Sequence, residues 1–235
     1  MLGIVYGTEI TVADPNNVEP IDPTTESSAE PTTEPTTEPT TEPTTEPEPD
    51  PITIDRFTDI EKDAWYIDGV KYAIDNGLMN GVSMTEFAPE ETLTRAMLVT
   101  ILYRLAGEPE TSTKTNFTDV PEGEWYSDAV AWTVEKGVTL GTSETTFDPS
   151  QPVTREQLVT FLWRYAGKPE SKQSLSAFAD NAMVSEYAYT AMQWAVENMI
   201  VNGKEEGKLD PVGNATRAEI AIIFMRAEKM LAQPE

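Results

Sequence analysis

The chain has 235 residues, of which 41 are acidic and 16 basic, and it contains no cysteine and no histidine. This composition excludes disulfides and thiol chemistry, and it removes the side chain that most often serves in acid–base catalysis and metal binding. The net charge of -25 also argues against general nucleic-acid binding, which needs a basic surface. No basic residue precedes Arg56, so any bound anion must be held by local arginines in the remainder of the chain.

The first 13 residues are typical of the end of an upstream segment. The opening MLGIVYG has no basic residue and is too short for a signal peptide or a membrane-spanning helix. Ile10 and Val12 then alternate as in a β-strand. Two alternatives follow: either the chain is intracellular, or it is the C-terminal part of something longer. We favour the second, with residues 1–13 as the remnant of an upstream domain, and we expect no segment to insert into a membrane.

Residues 14–55 have the composition of a linker. Pro, Thr, Glu and Asp dominate, and four consecutive TTEP units fill residues 32–47. Because apolar residues are almost absent, nothing offsets the entropy of ordering such a segment, and regular Pro with repelling Glu extends it. We therefore expect a disordered, solvated spacer, although Thr-Pro-rich tracts also suit O-glycosylated stalks on exported proteins.

Three copies of one pattern follow, and each copy predicts a helix, a loop and a second helix. The copies open with FTDI at Phe57, FTDV at Phe117 and FAD at Phe178, and their second helices recur after 60 and then 62 residues. Apolar residues keep helical spacing in both helices, and a Gly-containing turn lies between them. An aromatic residue near each first helix start and a glycine in each turn occupy corresponding positions: Trp65, Trp125 and Tyr187, and Gly81, Gly141 and Gly203.

The second helix of each copy begins with the same dipeptide, Thr-Arg. The three stretches read TRAMLVTILYRLAG from Thr94, TREQLVTFLWRYAG from Thr154 and TRAEIAIIFMRAE from Thr216. Thr is a favourable N-cap, and Gln or Glu three residues later completes a capping box in the second and third copies. The first copy has Met at that position and lacks half of the box.

The arginine of this dipeptide stands in the first helical turn, where the helix dipole favours an anion over a cation. One interpretation is that Arg95, Arg155 and Arg217 each hold an anion together with the free N–H groups of the helix start. The other is that each arginine pairs with a nearby carboxylate and locks neighbouring repeats together. The spacing alone does not decide between the two.

The aromatic and glycine positions also have two interpretations. The aromatic rings either form the walls of a sugar-binding site or pack between repeats. The glycines either let the backbone approach a sugar closely or serve as turn residues, and we favour the turn.

Taken together, these motifs resemble the S-layer homology (SLH) domain family. The matching elements are F-[TA]-D, the aromatic-started helix, the [NL]-G turn, the F-x-P or L-D-P element and T-R-A-E. The resemblance covers three tandem modules, which we place at residues 56–110, 111–170 and 171–235. It implies an all-α fold, with three helix-loop-helix repeats in a pseudo-threefold spindle, a central helical bundle and grooves between neighbouring modules.

The resemblance also implies a function, which is the non-covalent anchoring of an exported protein to the bacterial cell wall and hence a location at the cell surface. The implied ligand is a secondary cell-wall polysaccharide linked to peptidoglycan, often ending in pyruvylated N-acetylmannosamine. A ketal pyruvate presents a carboxylate, which suits Arg. The residues expected to form the ligand site are Arg95, Arg155, Arg217, Thr94, Thr154, Thr216, Glu219, Trp65, Trp125, Tyr187, Gly81, Gly141 and Gly203.

The three copies match the T-R-A-E motif to different extents, and this bears on the expected ligand site. Only the third copy has the full T-R-A-E, whereas the first reads T-R-A-M and the second T-R-E-Q. The groove that uses Arg95 is therefore weakened if the Glu of the motif organises the groove.

Other functions are compatible with the same sequence. The domain could instead be a self-associating structural module of a surface array, or it could bind peptidoglycan directly. We do not expect an enzyme, because the acidic residues recur with the repeat or lie on predicted solvent faces rather than forming a separate catalytic pair. The sequence has no Gly-rich phosphate loop, calcium loop or Cys/His cluster, and we therefore expect no cofactor and no metal.

Overall fold

The computed structural model describes residues 52–231, and in this range the fold is all-α, as predicted. Only isolated β-bridges, and no β-sheet, occur among these residues. None of the helices in this range has the length and hydrophobicity needed to cross a membrane. The six α-helices are α1 (Ile67–Asp75), α2 (Arg95–Leu105), α3 (Ser127–Glu135), α4 (Arg155–Tyr165), α5 (Tyr189–Glu197) and α6 (Arg217–Leu231).

The starts of α2, α4 and α6 have the predicted N-caps. The hydroxyl of Thr94 accepts a hydrogen bond from the backbone N–H of Met97 at 3.3 Å. Thr154 forms the complete capping box with Gln157, and the third copy forms the corresponding box, since the N–H of Thr216 donates to the Glu219 carboxylate at 3.3 Å. Local sequence thus sets where these helices begin.

The helices pack in pairs that join different repeats. The second helix of each repeat packs against the first helix of the next, which gives the pairs α2 with α3 and α4 with α5. The last pair, α6 with α1, connects the third repeat back to the first. This contact is close, because a Cβ added at Gly69 of α1 would lie 2.6 Å from the backbone nitrogen of Ile222 in α6. The repeats are therefore interlocked, and none of them is packed as an independent unit.

A ring of backbone hydrogen bonds closes the same threefold arrangement at the centre. The N–H of Val153 donates to the carbonyl of Leu93 at 2.9 Å, and the N–H of Ala215 donates to the carbonyl of Val153 at 2.9 Å. The N–H of Leu93 completes the ring by donating to the carbonyl of Ala215 at 3.3 Å. Since all three residues directly precede the Thr-Arg dipeptides, the ring brings the starts of α2, α4 and α6 together.

A second contact fixes the loop that precedes each Thr-Arg helix. The Asp119 carboxylate accepts the backbone N–H groups of Phe147 and Asp148 at 2.9 and 2.7 Å. Asp59 and Asp180 hold the corresponding loops of the other two repeats. The Asp of the F-[TA]-D motif is therefore a clamp within its own repeat.

Regular structure begins within the predicted linker, shortly before its expected end at residue 55. Ile54–Arg56 forms a 3-10 turn that contacts α1, and Ile52 and Ile54 pack against the core. The partial burial of these two apolar side chains favours the folded state. The predicted strand remnant at residues 1–13 and the TTEP units lie outside the described residues.

Candidate functional site

The three arginines of the Thr-Arg dipeptides are buried where two repeats meet. Arg95, Arg155 and Arg217 are only 3%, 5% and 8% exposed. Each donates its Nε–H to a backbone carbonyl of a different repeat, at 2.8, 2.9 and 2.6 Å respectively. The accepting carbonyls belong to the loops that the Asp clamps hold: those of Phe147, Leu209 and Phe87.

The backbone N–H groups at these helix starts are also engaged. The N–H of Arg95 donates to the carbonyl of Gln151 at 2.9 Å, and that of Ala96 donates to the carbonyl of Pro149 at 3.0 Å. The other two helices bond in the same way across their own repeat boundaries, and the next N–H is taken by the Thr hydroxyl. The expectation that free N–H groups would help the arginines to hold an anion is therefore wrong, because a neighbouring repeat already accepts from them.

The remaining guanidinium nitrogens differ among the three arginines. Nη2 of Arg217 donates to the carbonyl of Asn80 at 2.6 Å. Nη1 of Arg155 lies 3.3 Å from a carboxylate oxygen of Glu219, in the next repeat. Nη2 of Arg95 is buried and has no hydrogen-bond partner among the described residues. Within residues 52–231, the predicted arginine–carboxylate lock between repeats is thus present at Arg155 and absent at the other two.

Each buried arginine lines a groove to which all three repeats contribute. One repeat provides the arginine, a second provides the residue before the turn glycine and a Thr-Arg helix, and the third provides an exposed aromatic residue. We name each groove by its arginine: the Arg95 groove, about 460 Å³ (Arg95, Leu140, Gln157, Arg164, Tyr187); the Arg155 groove, about 360 Å³ (Trp65, Arg155, Lys204, Glu219, Arg226); and the Arg217 groove, about 200 Å³ (Asn80, Met97, Arg104, Trp125, Arg217).

The predicted aromatic residues lie at the edges of these grooves and are largely exposed. Trp65 is 62% exposed, Trp125 61% and Tyr187 50%. The two Trp rings stand edge-on to the Tyr that follows each in sequence, at 83° and 86°. Such exposed rings offer a flat apolar face on which a sugar ring can stack.

The predicted glycines are constrained mainly by their own repeat. A Cβ added at Gly141 would lie 2.6 Å from a ring carbon of Phe117, the first residue of its F-T-D motif. Gly203 would meet Phe178 in the same way at 2.9 Å. Although both glycines border a groove, close packing inside the repeat is sufficient to require them there.

A second arginine per groove was not identified from the sequence. Each Thr-Arg helix has a second arginine nine residues after the first. Arg104 lines the Arg217 groove, Arg164 lines the Arg95 groove and Arg226 lines the Arg155 groove. Burial lowers the pKa of Arg164 and Arg226 from the ordinary arginine value. The fixed spacing of the two arginines in all three copies was the signal that could have revealed them.

Charge is distributed differently around the three grooves. In the Arg155 groove, Nζ of Lys204 lies 2.9 Å from Glu219 and 2.9 Å from Asp210. Burial alone would lower the pKa of Lys204, but hydrogen bonds to these two carboxylates raise it above the ordinary value. The linings of the other two grooves contain two arginines each and no carboxylate.

A buried carboxylate next to the Arg95 groove was also not identified from the sequence. Glu156 is 4% exposed and accepts hydrogen bonds from the backbone N–H of Ser185, the hydroxyl of Ser185 and the hydroxyl of Tyr187 at 2.9, 2.7 and 2.9 Å. Burial, and then the hydrogen bond to Glu156, raises the pKa of Tyr187 well above its ordinary value. Tyr187 is therefore held as a neutral, oriented phenol, whereas the other two repeats have Ala at the position of Glu156.

Comparison with known families decides the relationship of the chain. The S-layer homology domain model matches residues 56–96, 116–159 and 177–221, which together make up more than half of the sequence. The chain belongs to the S-layer homology domain family. Each of the three SLH matches lies within one repeat and contains one Thr-Arg dipeptide.

Individual relatives match about three quarters of this chain but only a small part of their own length. A surface-layer 125 kDa protein of Lysinibacillus sphaericus is 35% identical over 185 residues, which cover 77% of this chain and 16% of that protein. An amylopullulanase of Thermoanaerobacterium thermosulfurigenes is 30% identical over 172 residues (72% and 9%), and an exoglucanase XynX of Acetivibrio thermocellus is 28% identical over 172 residues (72% and 16%). The chain thus spans less than a fifth of each of these relatives.

Cationic and aromatic side chains line the SLH grooves. Among residues 52–231, no group of three or more acidic side chains is arranged to hold a metal ion. What the grooves do bring together is a guanidinium, a second cation and an exposed ring. In general, a guanidinium forms charge-assisted hydrogen bonds with a carboxylate, and an exposed ring offers an apolar face for stacking.

Proposed function

We propose that this SLH domain anchors an exported protein to the bacterial cell wall by binding an anionic wall polysaccharide in the grooves between its repeats. The proposed ligand class is a secondary wall polymer with a pyruvylated amino sugar. The contact residues are the groove arginines and the aromatic residues Trp65, Trp125 and Tyr187. Membership of the SLH family and the names of its relatives support the coarser part of this proposal, which is attachment at the cell surface.

The observation that carries the proposal is the repeated pairing of a buried arginine with an exposed aromatic ring from another repeat. A pyruvate ketal presents a carboxylate on the edge of a sugar ring, and one ligand could therefore use both features at once. The domain as a whole is acidic, and the local guanidinium groups must therefore supply the attraction for an anion. Ionic strength should weaken binding only moderately, since the contact is buried and few charges take part.

The relatives suggest how such a domain is used. One of them has the name of a surface-layer protein and two have names of enzymes, while the shared part is a small fraction of each. We infer that the SLH region is an attachment module. Direct peptidoglycan binding and self-association in a surface array are the competing functions.

Co-sedimentation with purified cell-wall sacculi, before and after acid removal of the wall polymer, tests this proposal. We expect the protein to sediment with intact sacculi and to stay in solution once the polymer has been removed. Unchanged sedimentation after acid treatment would move the ligand to peptidoglycan. If the protein sediments with neither preparation, the anchoring proposal fails, and sedimentation velocity of the protein alone would then test self-association.

A variant with all three groove aromatics removed (Trp65→Ala, Trp125→Ala and Tyr187→Ala) links the result to the grooves. Because these rings are at least half exposed, their loss should reduce binding by tenfold or more while the domain stays folded. Met183→Ala is the matched control, since Met183 is exposed and lines none of the three grooves. Equal binding of wild type and triple variant would show that the grooves are not the site.

A further inference from the structure

The three grooves differ in how the spare hydrogen-bonding capacity of their arginine is used. In the Arg217 groove, the carbonyl of Asn80 accepts from Nη2 of Arg217. The glycine that follows Asn80 is not in the left-handed region, whereas its counterparts Gly141 and Gly203 have φ of 81° and 84°. The carbonyl before the turn glycine accepts from a groove arginine in the first repeat only. The Nη atoms of the arginines in the other two grooves need a different acceptor.

In the Arg155 groove, that acceptor is a carboxylate of the protein itself. Glu219 receives Arg155 on one oxygen at 3.3 Å and Lys204 on the other at 2.9 Å. Both cations are therefore neutralised within the groove before any ligand arrives. An anion entering this groove would have to compete with Glu219 and would meet its repulsion.

In the Arg95 groove, the described residues provide no acceptor for Nη2 of Arg95. The guanidinium lies over the rings of Phe147 and Phe161, at 4.8 and 5.4 Å from their centroids, and donates from Nε alone. Leaving a buried donor of a charged group unpaired is costly, and an incoming acceptor would remove that cost. Arg164 adds a second positive charge to the same lining.

The aromatic residue of this groove is also fixed more firmly than the other two. Tyr187 donates its hydroxyl hydrogen bond to buried Glu156 at 2.9 Å, and the same carboxylate holds the backbone before it. Trp65 and Trp125 each have a ring contact with the following Tyr and, within residues 52–231, no side-chain hydrogen bond. A ligand that stacks on Tyr187 therefore meets a surface whose orientation is already set, which lowers the entropic cost of binding.

From these differences we propose that the Arg95 groove is the primary anion site of the domain, and that it takes a sugar carboxylate as the missing partner of Arg95 Nη2. This inference rests on the proposed function and names the groove that carries it. The ligand carboxylate accepts from Arg95, and the sugar ring lies against Tyr187. The T-R-E-Q departure in the second repeat thus creates the site, because Gln157 stands where Glu219 occupies the Arg155 groove.

A reciprocal exchange between the two grooves tests this inference. Gln157→Glu places a carboxylate beside Arg95, as Glu219 is placed beside Arg155, and it preserves the capping box. Glu219→Gln removes the competing carboxylate from the Arg155 groove and also preserves the box. Each variant is to be titrated calorimetrically with the methyl glycoside of pyruvate-ketal N-acetylmannosamine, and assayed for sedimentation with sacculi.

We expect Gln157→Glu to lower the affinity for this glycoside at least tenfold, and Glu219→Gln to retain or increase it. Leu140→Asp is the second variant for the same groove, because Leu140 is exposed and takes no part in helix capping. It too should lower the affinity at least tenfold, more than Asn202→Asp at the corresponding exposed position of the Arg155 groove. Thermal denaturation confirms that each variant is folded.

The outcomes separate this inference from the proposed function. If wild type binds both sacculi and glycoside but Glu219→Gln loses affinity and Gln157→Glu does not, the anion site lies in the Arg155 groove and the inference is overturned alone. Equal affinity of all variants would overturn it as well. If wild type binds neither sacculi nor glycoside, the proposed function and this inference fail together.

Discussion

The centre of the domain and its three grooves are built from the same repeats, yet they differ in how far the threefold pattern is kept. At the centre, Arg95, Arg155 and Arg217 each donate Nε–H to the corresponding carbonyl, at 2.6 to 2.9 Å. In the grooves, the residue three positions after the capping Thr is Met97, Gln157 or Glu219. The Nη atoms of the three groove arginines also differ in their partners: a carbonyl, a carboxylate or none among the described residues.

The difference follows from the groups that make the contacts. The central ring and the arginine acceptors are backbone groups, which every residue except proline supplies in full. Val153 and Ala215 therefore take equivalent places in the ring although their side chains differ. The grooves depend on side-chain charge and shape, and single substitutions can change them without affecting the centre. Repeats of this kind can keep one architecture while their binding sites diverge.

Arg217→Ala should have the largest effect on stability, because Arg217 links two repeats at the centre of the domain. The substitution removes two hydrogen bonds to carbonyls and the contact with the ring of Phe87, whose centroid lies 4.5 Å from the guanidinium carbon. Because these carbonyls are left without their partner, we expect a loss of about 2–4 kcal/mol in the free energy of unfolding. For a domain of this size that corresponds to a fall in Tm of roughly 5–15 °C, measured by circular dichroism.

Lys172→Ala is the control for this prediction, since Lys172 is exposed and should change stability by less than about 0.5 kcal/mol. If Arg217→Ala were as stable as this control, Arg217 would not be a link between repeats, and its contribution would be to ligand binding alone. That result would also remove the contrast between centre and grooves.

The sequence predicts the parts of this fold that depend on neighbours along the chain. The helix starts at Thr154 and Thr216 were predicted correctly because the capping residues lie three positions apart. The acceptors of the arginines were not predicted, because they lie 52 to 130 residues away in sequence. Whether a further guanidinium nitrogen meets a carbonyl, as Nη2 of Arg217 does, or a carboxylate, as Nη1 of Arg155 does, also depends on that distant geometry.

The residues of the candidate site could be predicted from the sequence mainly where they recur in every repeat. The aromatic positions could be chosen from the sequence because they recur, and the structure places one of them at each groove. Glu156 could not be chosen in this way, because it occurs in one repeat only and its partners, Ser185 and Tyr187, are about 30 residues away. A feature that breaks a repeat is visible in the sequence as a difference, but its consequence requires the packing.

Glu156→Ala should lower the free energy of unfolding by an intermediate amount. The backbone N–H of Ser185 and the hydroxyl of Tyr187 would lose a buried charged acceptor, and we expect a loss of about 1–3 kcal/mol, measured by urea denaturation at pH 7. The helix itself should tolerate the change, because the other two repeats have Ala there. Glu156→Gln keeps an acceptor oxygen and should cost less.

The pH dependence gives this prediction a second readout. Because the pKa of Tyr187 is raised in the folded protein, the linked stability is fully present below its unfolded pKa of about 10 and is lost as the pH rises above that value. Glu156→Ala removes part of the cause, and the gap in stability between wild type and variant should narrow above pH 10. A gap that stays constant with pH would show that Glu156 does not act through Tyr187.

Met199→Gly tests the smallest difference between the repeats, at the end of the first helix in each copy. Met199 has φ of 56°, whereas Gly77 and Gly137 hold the corresponding positions with φ of 65° in both cases. A non-glycine residue in this region is strained, and the side chain of Met199 is 70% exposed and gains little from packing. After the larger unfolded-state entropy of glycine is subtracted, Met199→Gly should raise the free energy of unfolding by on the order of 0.5–1 kcal/mol.

The reverse change, Gly137→Met, should lower stability by a similar or slightly larger amount, because it introduces the same strain in the second repeat. Opposite signs for the two substitutions would mean that this turn obeys one local rule in every repeat, whatever its groove contains. Equal signs would mean that the turn conformation is set by the neighbouring groove, and the divergence of the grooves would then extend into the framework that supports them.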